Sequence, residues 1–237
     1  MPNASLSSVK ELESKTFRDF MALLNTLAAK WNLRQFTNWS KIWEYPWLWF
    51  NGLSQMNWKG SSLLDLGSEL SPMPWFLASL GANVTLVETD QQWVPKWERL
   101  CDETGLEVKW KIAPVETLPF EDESFDAVTS FSVIEHQKDK VTAVNEAVRV
   151  LKPGGLFAIS FDICETEMDM TFPEWNGKAL TMAQFEELVW NHSTLDNKGH
   201  RPKWNVEDIP PFITWHLQSA PYHNYTVGAA ALRKKKI

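Results

Sequence analysis

Apolar residues recur at helical spacing through residues 6–30, where Val9, Leu12, Phe17, Phe20, Leu23, Leu24 and Leu27 can share one broad face. Ser7 or Ser8 can cap the start of this helix. In the following stretch, "WNLRQFTNWSKIWEYPWLWF", Pro46 should break any single helix, which predicts two short helices around a bend. From residue 61 the pattern changes. Short β-rich runs predict strands at 62–66, 83–88, 107–111, 125–131 and 155–161, and helical runs predict helices near 72–80, 91–104, 139–151 and 181–191. Strand–helix alternation with short links makes a parallel sheet covered on both faces. "KPGG" at 152–155 reads as a turn that ends a helix before the fifth strand, and Thr181 with Gln184 suits a capping box. Residues 163–180 and 193–211 are polar and irregular. The closing "YHNYTVGAAALRK" reads as a last strand, with a late hairpin placing antiparallel strands at one edge.

These elements predict an α/β fold: a doubly wound, mostly parallel, seven-stranded, Rossmann-like sheet with an N-terminal helical cap. The division is a Trp-rich cap at 1–58 and an α/β domain at 59–237, with an insertion near 163–180. The chain length of 237 residues and a hydrophobic content of 44% allow one large domain with a sizeable core. Fourteen tryptophans are unusual, and several crowd into residues 31–58.

Charge removes some functions. A net charge of −7 argues against nucleic acid as the main partner, and the basic run Arg233–Lys236 reads as a solvated tail. Cys101 and Cys164 make neither a metal pattern nor a disulfide framework, and read as reduced thiols. His192, His200, His216 and His223 are scattered without metal spacing. No signal peptide and no run of 18 apolar residues is evident, which predicts a cytoplasmic protein without a membrane span. The Asn-x-Ser/Thr triplets at Asn3, Asn38, Asn191 and Asn224 then count as chance matches.

The chemistry concentrates in "LLDLGSELSPMPWFLASLGANVTLVETD", residues 63–90. An apolar strand runs into Asp65 and Gly67, and a second strand ends in Glu88 about 20 residues on. In open α/β sheets ligands bind beyond the carboxyl ends of the strands. Gly67 lets the backbone turn sharply and lie against a ligand. An acidic residue at the place of Glu88 can accept both hydrogen bonds from a ribose diol. A lone glycine turn is also compatible with an ordinary tight turn.

Further on stand "ETLPFEDESFDAVTSFSVIEHQKD" and "NEAVRVLKPGGLFAISF". With the Asp-x-Gly turn and the acidic end of strand two, these make residues 61–162 resemble the class I S-adenosylmethionine-dependent methyltransferases, and most of all their small-molecule branch. The resemblance implies S-adenosyl-L-methionine as cofactor and a small organic methyl acceptor. It puts Asp65, Gly67, Ser68 and Glu69 by the methionine part, Glu88 on the ribose, Thr89 beside the adenosine, Val115 and Glu116 along the adenine, and Phe131 and Ser132 on the methyl-donor side. The family turn, Asp/Glu-x-Gly-x-Gly-x-Gly, departs here: Glu69 and Ser71 replace the later glycines, while Ser71 can cap a helix that Pro72 starts. Glu69 can block the cofactor, face solvent or meet its ammonium group. Pro114 stands where the family often has an acidic residue for the adenine.

His136 is the nearest candidate base, against a helix-start histidine bonded to backbone. Asp162, just past the fifth strand, is a second candidate, against a plain loop carboxylate. Tyr45 and Trp47, in an "EYPW" run that some such methyltransferases share, are candidates for substrate contact, against simple packing of the cap. The expected activity is methyl transfer to O or N of a metabolite by a monomer or homodimer. The alternatives are a non-catalytic cofactor- or partner-binding module and a nucleic-acid methyltransferase, the latter disfavoured by charge.

Overall fold

The computed structural model describes residues 4–167, 173–199, 201–204 and 225–236. His200, His216, His223, Asn3, Asn224 and the prolines at 210 and 211 lie outside them.

The strands are β1 (Ala4–Leu6), β2 (Ser62–Leu66), β3 (Asn83–Glu88), β4 (Val108–Ile112), β5 (Phe125–Phe131), β6 (Leu151–Cys164), β7 (Leu180–Thr181), β8 (Leu195–Asp196) and β9 (Tyr225–Lys234). Seven of them form one sheet in the order β1-β9-β6-β5-β2-β3-β4, with β7 and β8 as short additions to β6 and β9. Pairing is parallel from β6 through β5, β2 and β3 to β4, and antiparallel at β9. The antiparallel edge is therefore present. The outer partner of β9 is β1, which pairs Ala4 with Ala230 and Leu6 with Gly228.

Alternation along each strand divides the core into two layers. Leu63, Leu86, Ala127, Leu156, Ala158, Val227, Ala229 and Ala231 face one layer. Leu64, Val87, Val128, Phe157, Ile159, Phe161, Ala230 and Leu232 face the other. The second layer is covered by α6 (Lys140–Arg149) and the short α7 (Met182–Phe185). The first is covered by α2 (Lys15–Lys30), α3 (Trp39–Asn51), α4 (Pro72–Ser79) and α5 (Val94–Thr104). The apolar residues of 1–58 thus belong to the same core as the sheet.

Four expectations change. Residues 6–30 are not one helix: α1 (Val9–Leu12), capped by Ser8, ends before Ser14, whose hydroxyl caps α2. Leu23 lies off the buried face and is exposed. Pro46 does not split 39–51. It sits inside the single helix α3, where a proline costs about 3 kcal/mol. Trp43, Tyr45, Trp47 and Leu48 are all fully buried around it, and burying such side chains contributes about 1.5–3 kcal/mol each, which outweighs that cost. "KPGG" does not precede the strand; it bulges out within β6, where Phe125 pairs with Leu151 but Ala127 pairs with Leu156. The Thr181–Gln184 capping box is present, although the helix it opens passes into a π turn at Glu186–Trp190. No helix among the described residues is long and apolar enough to cross a membrane.

Candidate functional site

The turn after β2 is built on two left-handed residues. Gly67 has φ +66°, and Glu69 has φ +39°. The second costs a non-glycine residue roughly 1–2 kcal/mol, and the bonds around it show what holds it. The Glu69 N–H donates to Glu88 Oε1 at 3.1 Å, and the Trp97 indole N–H donates to the Glu69 carbonyl at 2.7 Å. The Glu69 carboxylate turns outward to Arg34, 2.9 Å away, in a half-exposed ion pair. An ion-pair partner on the neighbouring loop is a fourth course, beside blocking the cofactor, facing solvent and meeting its ammonium group. Arg34 also donates its N–H to the Leu70 carbonyl.

Ser71 caps α4, and Pro72 takes the first helical position, as the sequence implies. The Tyr45 hydroxyl bonds Ser71 Oγ at 2.9 Å, so α3 is tied to this helix start. The Tyr45 ring stacks on Phe131 with centroids 4.5 Å apart, and on Phe36 at 5.3 Å. Trp47 stacks on Trp43 at 5.7 Å, and neither has exposed surface. Tyr45 therefore borders the turn and the end of β5, whereas Trp47 is core, and any contact of Trp47 with a ligand would require α3 to move.

Glu88 ends β3 with both carboxylate oxygens engaged by backbone N–H groups, Oε1 by Glu69 and Oε2 by Thr89 at 3.1 Å. Each oxygen keeps a second lone pair. Burial raises its pKa above the ordinary value, against the two backbone bonds. Thr89 is exposed at the rim, Val115 is buried and Glu116 half-buried on the following turn. Ser68 Oγ donates to the Asp65 carbonyl at 3.0 Å and braces the turn from inside.

Asp65 lies under this turn. Its Oδ1 accepts a 2.6 Å bond from Thr129, and burial drives its carboxyl pKa up to about 7. The unfolded chain would release that proton near pH 3.9. Between about pH 4 and 7 the native protein therefore binds the extra proton, and this residue's contribution to stability falls as pH rises. Asp65→Asn should remove that dependence. Melting temperatures across pH 4–8 should show the variant gaining on the parent as pH rises; a difference that stays constant would refute the shift.

A second group of acids gathers beyond β5 and β6. Glu44 of α3 is fully buried, and its Oε2 accepts from Ser132 Oγ (2.9 Å), Ser160 Oγ (2.7 Å) and Lys41 Nζ (3.0 Å). Glu135 is also fully buried, and its Oε1 accepts the Asp162 N–H at 3.0 Å. Burial, with the Asp162 charge next, pushes its pKa well up. Glu44 Oε1 and Glu135 Oε2 are buried with no hydrogen-bond partner. His136 uses Nδ1 to reach the Trp175 carbonyl at 2.9 Å, which makes Nδ1 the donor, and burial lowers its pKa. That backbone bond fits the positional reading of His136. Asp162 is buried at the edge of this acid group rather than on an open loop.

Sequence reading missed Glu44, Glu135, Ser160 and Tyr225. Two signals were present: Glu44 is an acid inside a tryptophan-rich run, and Glu135 is the first letter of "EH". Among the described residues, no group of three or more His, Cys, Asp or Glu is arranged to hold a metal ion. A cavity of about 690 Å³, lined by Gly154, Lys198 and Lys234–Lys236 among others, lies at the opposite, amino-terminal edge of the parallel strands, away from the turn and the acids.

A family model described as a methyltransferase domain matches residues 64–159. The ubiquinone biosynthesis O-methyltransferase of Xanthomonas axonopodis pv. citri (strain 306) is 32% identical over 102 residues, which is 43% of this chain and 43% of the relative. The chain thus aligns with less than half the length of that curated relative. Among solved structures, the [4+2]-cyclase SpnF superposes with TM-score 0.63 at 16% identity, covering 99% of both chains. Phosphoethanolamine N-methyltransferase 2 of Haemonchus contortus, solved with S-adenosyl-L-methionine, superposes with TM-score 0.61 at 17% identity over 94% of this chain and 61% of that one. At these identities the structures share the fold, and a cyclase among them separates fold from chemistry.

Proposed function

We propose, on the premise that residues 64–159 are a class I S-adenosylmethionine-dependent methyltransferase segment, that this chain binds S-adenosyl-L-methionine and methylates O or N of a small organic acceptor. The observation that carries this reading is the pairing of the Gly67 turn with the Glu88 carboxylate. Gly67 brings bare backbone to the carboxyl edge of β2, and Glu88 stands beside it with an unused lone pair on each oxygen.

The residues fit the cofactor. Glu88 would accept from the ribose hydroxyls, with Thr89 beside it. Asp65, Gly67, Ser68 and the Glu69 backbone would border the methionine part, close to the amino end of α4. Val115 and Glu116 would flank the adenine, and Phe131 and Ser132 the methyl-donor side. When bound, the cofactor supplies a methyl group on a sulfonium, whose leaving group is already good. What remains for the protein is to orient the acceptor, exclude water and take up a proton where the acceptor must lose one. The buried aromatics of α3 would serve the second task, and Asp162 with its acidic neighbours would serve the third. His136 is committed through Nδ1 to a backbone carbonyl and acts as a positioning residue. In this reading residues 1–58 serve as the cap of the site, the protein works in the cytoplasm, and it is a monomer or homodimer.

Calorimetric titration with S-adenosyl-L-methionine tests the reading. The native protein should bind, and Glu88→Ala should weaken binding by about 1.5–3 kcal/mol, the range for bonds to a charged group. Glu88→Gln, which keeps one acceptor oxygen, should fall between. An unchanged dissociation constant in Glu88→Ala would remove Glu88 from the site, and a native protein that does not bind would leave a non-catalytic module.

A further inference from the structure

The acid group under α3 is an unusual thing to bury. Ser160 and Asp162 share a strand face with Leu156 and Ala158, the face that α3 covers. On β9, Tyr225 shares a face with Val227 and Ala229 and lies diagonally across from Asp162. Glu44 reaches this face through Ser160, and Glu135 reaches it through the Asp162 N–H. Lys41 lies near both Glu44 and Glu135. Two carboxylate oxygens, Glu44 Oε1 and Glu135 Oε2, are sealed from water without a hydrogen bond. Leaving a buried charged acceptor unsatisfied costs about 1–3 kcal/mol or more each, so a fold that keeps two such oxygens in the neighbourhood of one lysine, Lys41, is missing a donor.

We propose that the missing donor is the methyl acceptor itself, and that the acceptor is an amine whose ammonium group seats on Glu44 Oε1 and Glu135 Oε2 and is methylated at nitrogen. The inference rests on the methyl-transfer reading above and narrows it to one acceptor class. Three observations select nitrogen over oxygen. Lys41 already seats an alkylammonium on the other oxygen of Glu44, at 3.0 Å, so the group has the geometry for such a ligand. The charged groups around the site are three acids against Lys41 and Lys140, an excess of acids that favours a cation over a phenolate or carboxylate. Tyr225 is a phenol at this same place: burial, and then the charges of Asp162, Glu135 and Glu44, push its ionisation upward, and a phenolic acceptor would meet the same opposition. Ser132, which lines the methyl-donor side in the proposed site, bonds Glu44 at 2.9 Å, so the seat adjoins the place of transfer.

In the transfer the ammonium gives one proton to a carboxylate. Burial, which raises the proton affinity of Glu135, suits it to receive that proton. The nitrogen lone pair forms the new N–C bond. The methyl C–S bond of S-adenosylmethionine breaks, leaving its electron pair on sulfur. The products are the N-methylated ammonium, S-adenosylhomocysteine and one proton, which the carboxylate returns to solvent.

The test is transfer of labelled methyl from S-adenosylmethionine to methylamine, ethanolamine and spermidine, set against phenol and catechol. Tyramine, which carries both groups, is included so that product NMR reports the atom methylated. Label should enter amines, and only the nitrogen of tyramine. Glu44→Gln and Glu135→Gln should each lower kcat/KM for the best amine at least a hundredfold, with the cofactor dissociation constant within threefold of the parent. Should Glu44→Gln fail to fold, Glu135→Gln decides alone. Methylation of phenolic oxygen, absence of transfer to every amine by a protein that binds the cofactor, or undiminished kcat/KM in the folded variants would overturn the proposal. A parent protein that does not bind the cofactor would instead overturn the methyl-transfer reading on which it rests.

Discussion

Deletion of residues 1–50 is expected to leave no soluble folded protein. The segment supplies Phe17, Phe20, Met21, Leu24, Trp43, Trp47 and Leu48 to the core layer that also holds Leu63, Leu86, Ala158 and Ala229. At about 1.5–3 kcal/mol for each large side chain, those seven alone contribute on the order of 10–20 kcal/mol. That matches or exceeds the entire stability of a typical domain, about 5–15 kcal/mol. The loss also strips one face of the sheet and exposes it to other chains. The measurement is the soluble fraction after expression, followed by circular dichroism and thermal melting of whatever remains. A truncated protein that stays monomeric and melts cooperatively would show that residues 51–237 hold a sufficient core of their own.

Gly67→Val should abolish cofactor binding and lower stability together. A Cβ built at Gly67 would stand 2.4 Å from Val133 Cγ2 and 2.9 Å from Cγ1, and the backbone there has φ +66°. The left-handed conformation costs a side chain roughly 1–2 kcal/mol, and forced overpacking roughly 1–3 kcal/mol more. The two causes can be separated. Val133→Ala in the same chain should recover part of the melting temperature by removing the collision. It should not recover binding, because the turn would still carry a side chain where the backbone must meet the ligand. Binding restored in the double variant would show that Gly67 serves packing against Val133 and not the ligand.

How far the sequence could be read depended on the range of the interactions involved. β2, β3 and β5 were legible within a residue, because each is an apolar run bounded by turn-forming residues. The Ser71–Pro72 helix start and the Thr181 capping box were legible for the same reason, since a cap is a contact over three residues. Pro46 misled, because its penalty is local while the burial that outweighs it comes from the sheet underneath. β1 is three residues with no period to detect, and exists through its pairing with β9. The candidate turn showed itself through Gly67 and Glu88, which lie on one βαβ unit. The acid group did not: Glu44 and Ser160 meet across 116 positions, and Glu135 and Asp162 across 27. The outward course of Glu69 likewise depended on Arg34, which no spacing rule links to it.

The pairing of β1 with β9 also sets an order of events. Ala4 finds its partner at Ala230, so this edge of the sheet cannot close on a ribosome until residue 230 has been made. Until then the first strand has nothing to pair with, and β6, from Leu156 to Cys164, presents an open row of backbone donors and acceptors along the side that β9 will take. Contacts so distant in sequence are slow to form, since the loop entropy is lost before the pairing is gained. The pairing therefore predicts that β9 inserts between β6 and β1 late in folding, and that a nascent chain stalled short of residue 225 exposes a bare strand edge prone to aggregation.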